Sequence, residues 1–215
     1  AYFDQGFARI FGGRRRDGSS PLRQGSAELN GSFFGQSSFA EYAIVEERSA
    51  VKVAGASRLE LLGPLGCGVI TGAGAVLRSM RLQAGQSLAV FGVGGVGMSA
   101  VMAARLAGAS RILAIDRNVA RLDLAIELGA THAVVAGDDA VARIRAIVPR
   151  GVDLSLNTTW AAPVFDQAIE CLAPAGIAAF VTAPRDAWKP DMMRLLTGGK
   201  RLQGVQGGDA DPQLF

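Results

Sequence analysis

Apolar runs of strand length alternate with helical stretches through the second two-thirds of the chain. Because the runs are continuously apolar rather than alternating, both faces of the sheet are expected to be covered by helices. The strand spacing is that of βαβ units, so the prediction is an α/β fold with a doubly wound parallel Rossmann sheet in the order 3-2-1-4-5-6. The predicted strands are Ser87–Phe91, Arg111–Ile115, Ala133–Val135, Val152–Leu156, Ile177–Thr182 and Leu202–Val205. The predicted helices are Val96–Leu106, Val119–Leu128, Asp139–Ile147, Pro163–Leu172 and Asp191–Leu196.

The segment before this pattern has a different character. Residues 1–54 are rich in loop residues, with short strands predicted at Phe33-Phe34 and over Ala40–Val45. Residues 59–80 have a helical pattern interrupted by glycine, and such a helix usually needs another backbone or a ligand close to it. We therefore predict two domains, residues 1–54 and residues 55–215, the first too short to bury a core of its own.

Composition excludes several classes of protein. The hydrophobic content of 49% and charged content of 19% are typical of a globular protein. A net charge of +3 with 7% aromatic residues does not indicate a nucleic-acid partner, and we interpret Arg14–Arg16 as a solvated loop. Leu82–Ala104 has no charged residue, but its central glycine cluster favours a buried strand, turn and helix over a membrane span. The first residues have no secretory pattern, so we expect a cytoplasmic location without membrane partners.

A glycine-rich turn directly follows the first predicted strand. Gly92, Gly94 and Gly97 fit G-x-G-x-x-G, the pattern of a dinucleotide-binding turn. One glycine makes the sharp turn, one lets a pyrophosphate approach the backbone, and one lets the helix lie close to the sheet. The free N–H groups of Gly95 and Val96 are expected to point at the phosphate, aided by the helix dipole.

A carboxylate ends the second predicted strand. Asp116 lies where an acidic group would bind the adenosine ribose hydroxyls and repel the 2′-phosphate of NADP, which favours NAD, although the adjacent Arg117 could soften that preference. Two alternatives stay open at this point. Asp116 could merely cap the helix that begins near Asn118. An S-adenosylmethionine methyltransferase also has a glycine-rich loop and an acidic strand end, but it has less need of the third glycine.

Several segments together resemble the zinc-type medium-chain alcohol dehydrogenase family. Their sequences most resemble its benzyl and aryl alcohol dehydrogenase branch. The resemblance covers essentially the whole chain and implies that residues 1–54 are part of a β-rich, GroES-like catalytic domain. The similar segments are Phe34–Tyr42, Leu65–Gly74, Ala89–Gly97, Glu127–His132 and Gly151–Asp153.

The resemblance implies roles for individual residues. Cys67 would be a ligand of the catalytic zinc, and Thr71 would be the catalytic-site residue beside the nicotinamide. Asp116 and Arg121 would hold the adenosine ribose. The cofactor cleft and the carboxamide of NAD would be contacted by Thr158, Thr159, Val181, Ala183, Val205 and Gly207. The implied reaction is hydride transfer between a primary, aromatic alcohol and NAD, with zinc polarising the alcohol oxygen in the intact enzyme.

Compared with a full family member, residues in front of Ala1 and after Phe215 are expected to be missing, including the other zinc ligands. One thiolate cannot hold a catalytic zinc, so the chain by itself is expected to bind NAD without turnover. By analogy, a homodimer through the edge of the coenzyme-domain sheet is expected. The alternatives are a zinc-independent quinone or enoyl reductase and a non-catalytic NAD-binding module. His132 and Cys171 are interpreted as structural.

Overall fold

The computed structural model describes residues 11–15, 17–32, 41–43, 45, 47, 50–53, 55, 58–210 and 213. Backbone contacts divide the chain into two compact units, residues 1–57 with 211–215 and residues 58–210. Each unit is described by itself.

The first unit contains a short antiparallel hairpin. Strands β1 (Leu22–Gln24) and β2 (Ala27–Leu29) pair with Leu22 opposite Leu29. Glu28 on β2 accepts from Arg23 and from Arg14, and these bonds lower the pKa of its carboxyl group. Arg14 and Arg15 lie in a loop as predicted, while Arg16 lies outside the described residues.

The sequence did not predict this hairpin, and one strand that it did predict is wrong. The described part of Ala40–Val45, residues 41–43 and 45, contains no strand. The alternation of apolar and polar positions there is too short to define a strand without a pairing partner. The strand predicted at Phe33-Phe34 lies outside the described residues.

The second unit is built on a six-stranded parallel sheet with the order β5-β4-β3-β6-β7-β8. This is the predicted order, and each predicted strand is present. The ends shift by one or two residues, except that the fifth predicted strand begins at Leu172 rather than at Ile177. The strands are β3 (Ser87–Phe91), β4 (Arg111–Asp116), β5 (His132–Val135), β6 (Val152–Asn157), β7 (Leu172–Phe180) and β8 (Arg201–Gly204).

Helices cover both faces of this sheet and bury two apolar clusters. One cluster includes Leu88, Val90 and Val101, and the other includes Phe91, Ile115 and Ile169. Strand β3 contributes to both clusters through alternate residues, which explains why its sequence is continuously apolar. The helices are α1 (Gly68–Gly74), α2 (Gly95–Leu106), α3 (Val119–Leu128), α4 (Ala140–Ile147), α5 (Ala162–Glu170) and α6 (Met192–Leu196).

Helix α5 ends earlier than predicted, and β7 begins earlier. Cys171 and Leu172 were placed in the helix, but Cys171 is its C-cap and Leu172 starts the strand. Strand β7 then contains a register irregularity near Ala175, whose φ is +61°, so its first residues do not read as one regular strand. Cys171 is fully buried, as predicted for a structural residue, and burial raises the pKa of its thiol to about 12.

The C-terminal end of α5 receives three side-chain donors from different elements. Its last carbonyl groups carry the negative end of the helix dipole, so donors there, and cations above all, stabilise the helix. Ser155 Oγ donates to the Ala168 carbonyl, Lys200 Nζ to Ile169 and Arg145 Nη2 to Glu170. Partial burial and the nearby Arg145 lower the pKa of Lys200.

The glycine-interrupted segment forms two 3-10 turns, Leu59–Leu61 and Gly63–Gly66, then α1 and a π-helical turn, Ala75–Ser79. The predicted close approach of another backbone is confirmed. A Cβ atom on Gly72 would lie 2.0 Å from the Val96 carbonyl oxygen, and one on Gly74 would lie 2.4 Å from the Gly208 carbonyl oxygen. Helix α1 is therefore held on two sides by main-chain contacts.

Leu82–Ala104 folds as a loop, strand β3, a turn and most of α2, as predicted. Within the described residues no single helix is long and apolar enough to span a membrane. One pair of segments bent by 50°, Leu59–Gly66 with Gly68–Ser79, has the length and composition to do so.

Candidate dinucleotide-binding site

The site lies at the carboxyl ends of the parallel strands. Strand β3 pairs with β4 on one side and β6 on the other, which makes its carboxyl end the topological switch point of the sheet. Ligands of open α/β sheets bind in the crevice at this point. Three predicted elements meet there: the turn after β3, Asp116 at the end of β4, and the threonines after β6.

Gly92 begins the turn after β3. Its φ of +83° lies in the left-handed region that favours glycine, and its N–H group donates to the Ile115 carbonyl at 2.8 Å. A Cβ atom there would lie 2.6 Å from Thr158 Oγ1. A Cβ atom on Gly97 would lie 2.0 Å from the Gly92 carbonyl oxygen, so α2 packs directly on the turn. Both positions require glycine for the turn to close.

The next residues form an open cradle. Ideal Cβ atoms on Gly94 and Gly95 meet no other atom within 4 Å. The first hydrogen bond of α2 runs from the Met98 N–H to the Gly94 carbonyl, so the N–H groups of Gly95, Val96 and Gly97 have no partner within the helix. Space, free donors and the positive end of the helix dipole together suit an anion such as a pyrophosphate.

Asp116 is tied to this turn by its own side chain. Its Oδ2 accepts from the Val93 N–H at 2.9 Å, and its Oδ1 accepts from the Asn118 N–H at 2.9 Å. Arg121 Nη1 lies 3.8 Å from Oδ2, and the Asp116 side chain is only 10% exposed. The two hydrogen bonds leave acceptor capacity on both oxygens.

The alternative that Asp116 caps α3 does not describe this geometry. A capping carboxylate would accept from the second or third residue of the helix, whereas Asp116 accepts from Asn118, which precedes Val119. The bond to Val93 could not be predicted from spacing alone. It holds the carboxylate at the mouth of the glycine turn.

The threonines after β6 contact the same turn. Thr158 donates its N–H to the Phe91 carbonyl at 2.9 Å and its hydroxyl to the Gly92 carbonyl at 2.7 Å. The Thr159 N–H and hydroxyl both reach Asn157 Oδ1, at 2.8 and 2.9 Å. Asn157 was not predicted as a site residue, although a polar residue at the end of an otherwise apolar strand was an available signal.

Helix α1, which contains Thr71, packs against the start of α2. Thr71 is half-buried, and its neighbour Gly72 contacts Val96, one of the residues with a free N–H group. Cys67 precedes α1 and is exposed. Within the described ranges no group of three or more His, Cys, Asp or Glu side chains is placed to hold a metal ion. A catalytic zinc requires three protein ligands, so the described residues do not form a catalytic zinc site by themselves.

The residues predicted to contact the carboxamide lie at the ends of β7 and β8. The Val181 N–H donates to the Asn157 carbonyl at 3.3 Å and the Val205 N–H to the Phe180 carbonyl at 2.9 Å. Their N–H groups are therefore in use within the sheet. Ala183 is exposed, and Gly207 begins the 3-10 turn Gly207–Asp209 that packs on α1.

His132 lies outside this crevice, because it is at the start of an edge strand and the crevice is at the carboxyl ends of the strands. It starts β5 and is half-buried, and its Nδ1 lies 2.8 Å from Thr131 Oγ1. The structural interpretation made from the sequence agrees with this position.

The fold and the glycine turn define a Rossmann-type nucleotide-binding unit, and comparison with known proteins supplies the family. A family model described as zinc-binding dehydrogenase matches residues 95–214. The chain belongs to this family, as the resemblance predicted, and its relatives are zinc-type alcohol dehydrogenases.

The chain is 47% identical over 210 residues to geraniol dehydrogenase of Castellaniella defragrans, covering 95% of this chain and 56% of the relative. An alcohol dehydrogenase zinc-binding domain protein from Burkholderia ambifaria is similar at 48% identity and a TM-score of 0.89, over 99% of this chain and 58% of the other. Benzyl alcohol dehydrogenase from Acinetobacter calcoaceticus is 39% identical with a TM-score of 0.82, over 91% and 56% of the two chains. The chain thus spans little more than half the length of these relatives.

Proposed function

We propose that the chain is the NAD-binding part of an alcohol dehydrogenase. The observation that carries this proposal is the open cradle at Gly94 and Gly95, which has free N–H groups and a carboxylate, Asp116, hydrogen-bonded to its rim. The cradle fits a pyrophosphate, and Asp116 can accept from the hydroxyl groups of a ribose. These two features match the two polar parts of a dinucleotide.

Each residue has a defined task in this proposal. The N–H groups of Gly95 and Val96 hold the pyrophosphate, and Asp116, with Arg121 beside it, orients the adenosine ribose. Thr158 and Thr159 wall the crevice, and Thr71 lies on the side of the nicotinamide. Because the N–H groups of Val181 and Val205 are used in the sheet, their carbonyl groups remain for the carboxamide, with Ala183 and Gly207 beside them. NAD, when bound, supplies the hydride acceptor.

The names of two relatives support a proposal for the substrate class. The geraniol and benzyl alcohol in two of their names are primary alcohols whose hydroxyl carbon is next to an unsaturated carbon. We propose that the whole enzyme oxidises alcohols of this kind, aromatic ones included, with Cys67 as one zinc ligand.

We also propose that the 215-residue chain by itself binds NAD without oxidising alcohol, because Cys67 offers one sulfur ligand where catalytic zinc needs three protein ligands. Residues 1–54 would belong to a GroES-like catalytic domain. A homodimer would form through β8, an edge strand of the sheet among the described residues. The proposed location is the cytoplasm.

Calorimetric titration of the purified chain with NAD, NADP and S-adenosylmethionine tests the cofactor. NAD is expected to bind best, and tighter binding of S-adenosylmethionine would refute the proposal. Measuring zinc content and benzyl alcohol oxidation on the same sample tests whether the chain by itself lacks alcohol oxidation. Stoichiometric zinc with measurable turnover would show that the chain is active alone.

A further inference from the structure

Asn157 is a buried polar residue at the switch point that no role above requires. It is fully buried at the carboxyl end of β6, paired in register with Phe91, the residue before Gly92. Its Oδ1 accepts both the N–H and the hydroxyl of Thr159. Its Nδ2 is the single buried side-chain nitrogen or oxygen without a hydrogen-bond partner in the part of the chain that the structure describes.

An unpartnered buried donor is unfavourable, so the choice of an amide at this position needs a reason. The two bonds from Thr159 need only an acceptor oxygen, and a carboxylate would accept them more strongly. A carboxylate would also place a buried negative charge beside the turn that receives the pyrophosphate. The amide provides the acceptor oxygen without the charge, at the cost of leaving its nitrogen, Nδ2, unpartnered.

Asn157 connects to the phosphate turn through a short series of contacts. It holds Thr159, while the adjacent Thr158 donates its hydroxyl to the Gly92 carbonyl at 2.7 Å. That carbonyl is the surface on which Gly97, and with it the start of α2, packs. The orientation of the free N–H groups of α2 therefore depends on the turn that Asn157 fixes.

We propose that Asn157 is a positioning residue for pyrophosphate binding, acting through the Thr158–Thr159 turn as an uncharged acceptor. This rests on the proposed NAD-binding function. In this proposal the uncharged side chain of Asn157 favours binding of the pyrophosphate and does not affect the contacts with adenosine.

The test compares Asn157→Asp with the unmodified chain, using NAD, ADP-ribose and adenosine as ligands. At pH 8 the variant is expected to bind NAD and ADP-ribose roughly tenfold more weakly, while adenosine affinity stays within about twofold. A buried carboxyl has a raised pKa, so the loss is expected to shrink as the pH is lowered toward 5 and the neutral, near-isosteric acid forms. A purely structural effect of the carboxylate would weaken the binding of all three ligands alike, adenosine included.

Ser155→Ala is the matched control. Ser155 is also fully buried on β6, but its hydroxyl donates to Ala168 at the far end of α5. Its loss is expected to lower stability and leave the affinity for all three ligands unchanged. Thr158→Val, which removes the hydrogen bond to Gly92, should weaken NAD and ADP-ribose binding at every pH. If Asn157→Asp does not fold, this variant tests the proposal in its place.

Equal affinity of Asn157→Asp and the unmodified chain for ADP-ribose at pH 8 would overturn the proposal and leave NAD binding intact. An equal loss for adenosine, independent of pH, would overturn it too. Failure of the unmodified chain to bind NAD or ADP-ribose would instead refute the proposed function itself.

Discussion

Replacing Gly72 by alanine tests the packing that positions helix α1. The new Cβ atom would lie 2.0 Å from the Val96 carbonyl oxygen, 2.9 Å from its carbon and 3.0 Å from Ser99 Cβ. Two of these atoms belong to the backbone of α2, so no side-chain rotation can relieve the overlap. The two helices must separate by about 1 Å at this point before the contact becomes tolerable.

The expected effect combines two opposing terms. Overpacking of this kind costs up to about 3 kcal/mol. Alanine has a higher helix propensity than glycine, which stabilises the folded state by up to about 1 kcal/mol. The net loss of about 2 kcal/mol corresponds to a fall in Tm of roughly 4–8 °C for a chain of this size. NAD affinity should fall as well, because the displaced Val96 supplies one of the free N–H groups.

Gly68→Ala in the same helix is the control for this prediction. A Cβ atom there would meet only Val96 Cγ2, at 3.9 Å, which is an ordinary contact. Urea denaturation of both variants gives the comparison, and Gly68→Ala is expected to be neutral or slightly stabilising. If Gly72→Ala were as stable as Gly68→Ala within about 0.5 kcal/mol, the close backbone contact would be refuted.

Three further predictions concern the cradle, the cysteines and Lys200. Gly94→Val should leave Tm unchanged, because its φ of −76° and open surroundings accept a side chain, yet abolish calorimetric NAD binding; retained binding would contradict the cradle. Iodoacetamide should label the exposed Cys67 in the folded chain and reach Cys171, whose pKa is raised to about 12, only after unfolding. Since the pKa of Lys200 is lowered on folding, the folded state disfavours its charge. Stability should therefore rise as the pH approaches 10.5, and Lys200→Met should lack this rise in denaturation curves.

The sheet was predictable because its strands are buried on both faces and carry that information in their own composition. The glycine turn was predictable because Gly92, Gly94 and Gly97 match the spacing of the G-x-G-x-x-G pattern directly after a strand. These features depend on residues near one another in the sequence. The predicted strand order followed from the βαβ spacing together with the known Rossmann topology.

Several features that the sequence did not predict depend on contacts between distant residues. The bond from Val93 to Asp116 spans 23 positions, and the bond from Thr158 to Gly92 spans 66. At the early end of α5 the last carbonyl groups accept hydrogen bonds from Ser155, Arg145 and Lys200, and no local sequence pattern predicts these bonds. The β1–β2 hairpin is three residues per strand, too short for periodicity to define it.

The glycine contacts of helix α1 have a consequence for how the crevice can move. Rotamer changes relay small displacements through ordinary packed interfaces, but the interface between Gly72 and Val96 has no rotatable bond on the glycine side. Any displacement of α2 at Val96 is therefore expected to move α1 with it. Thr71, next to Gly72, would then keep a constant distance from the N–H groups at the start of α2.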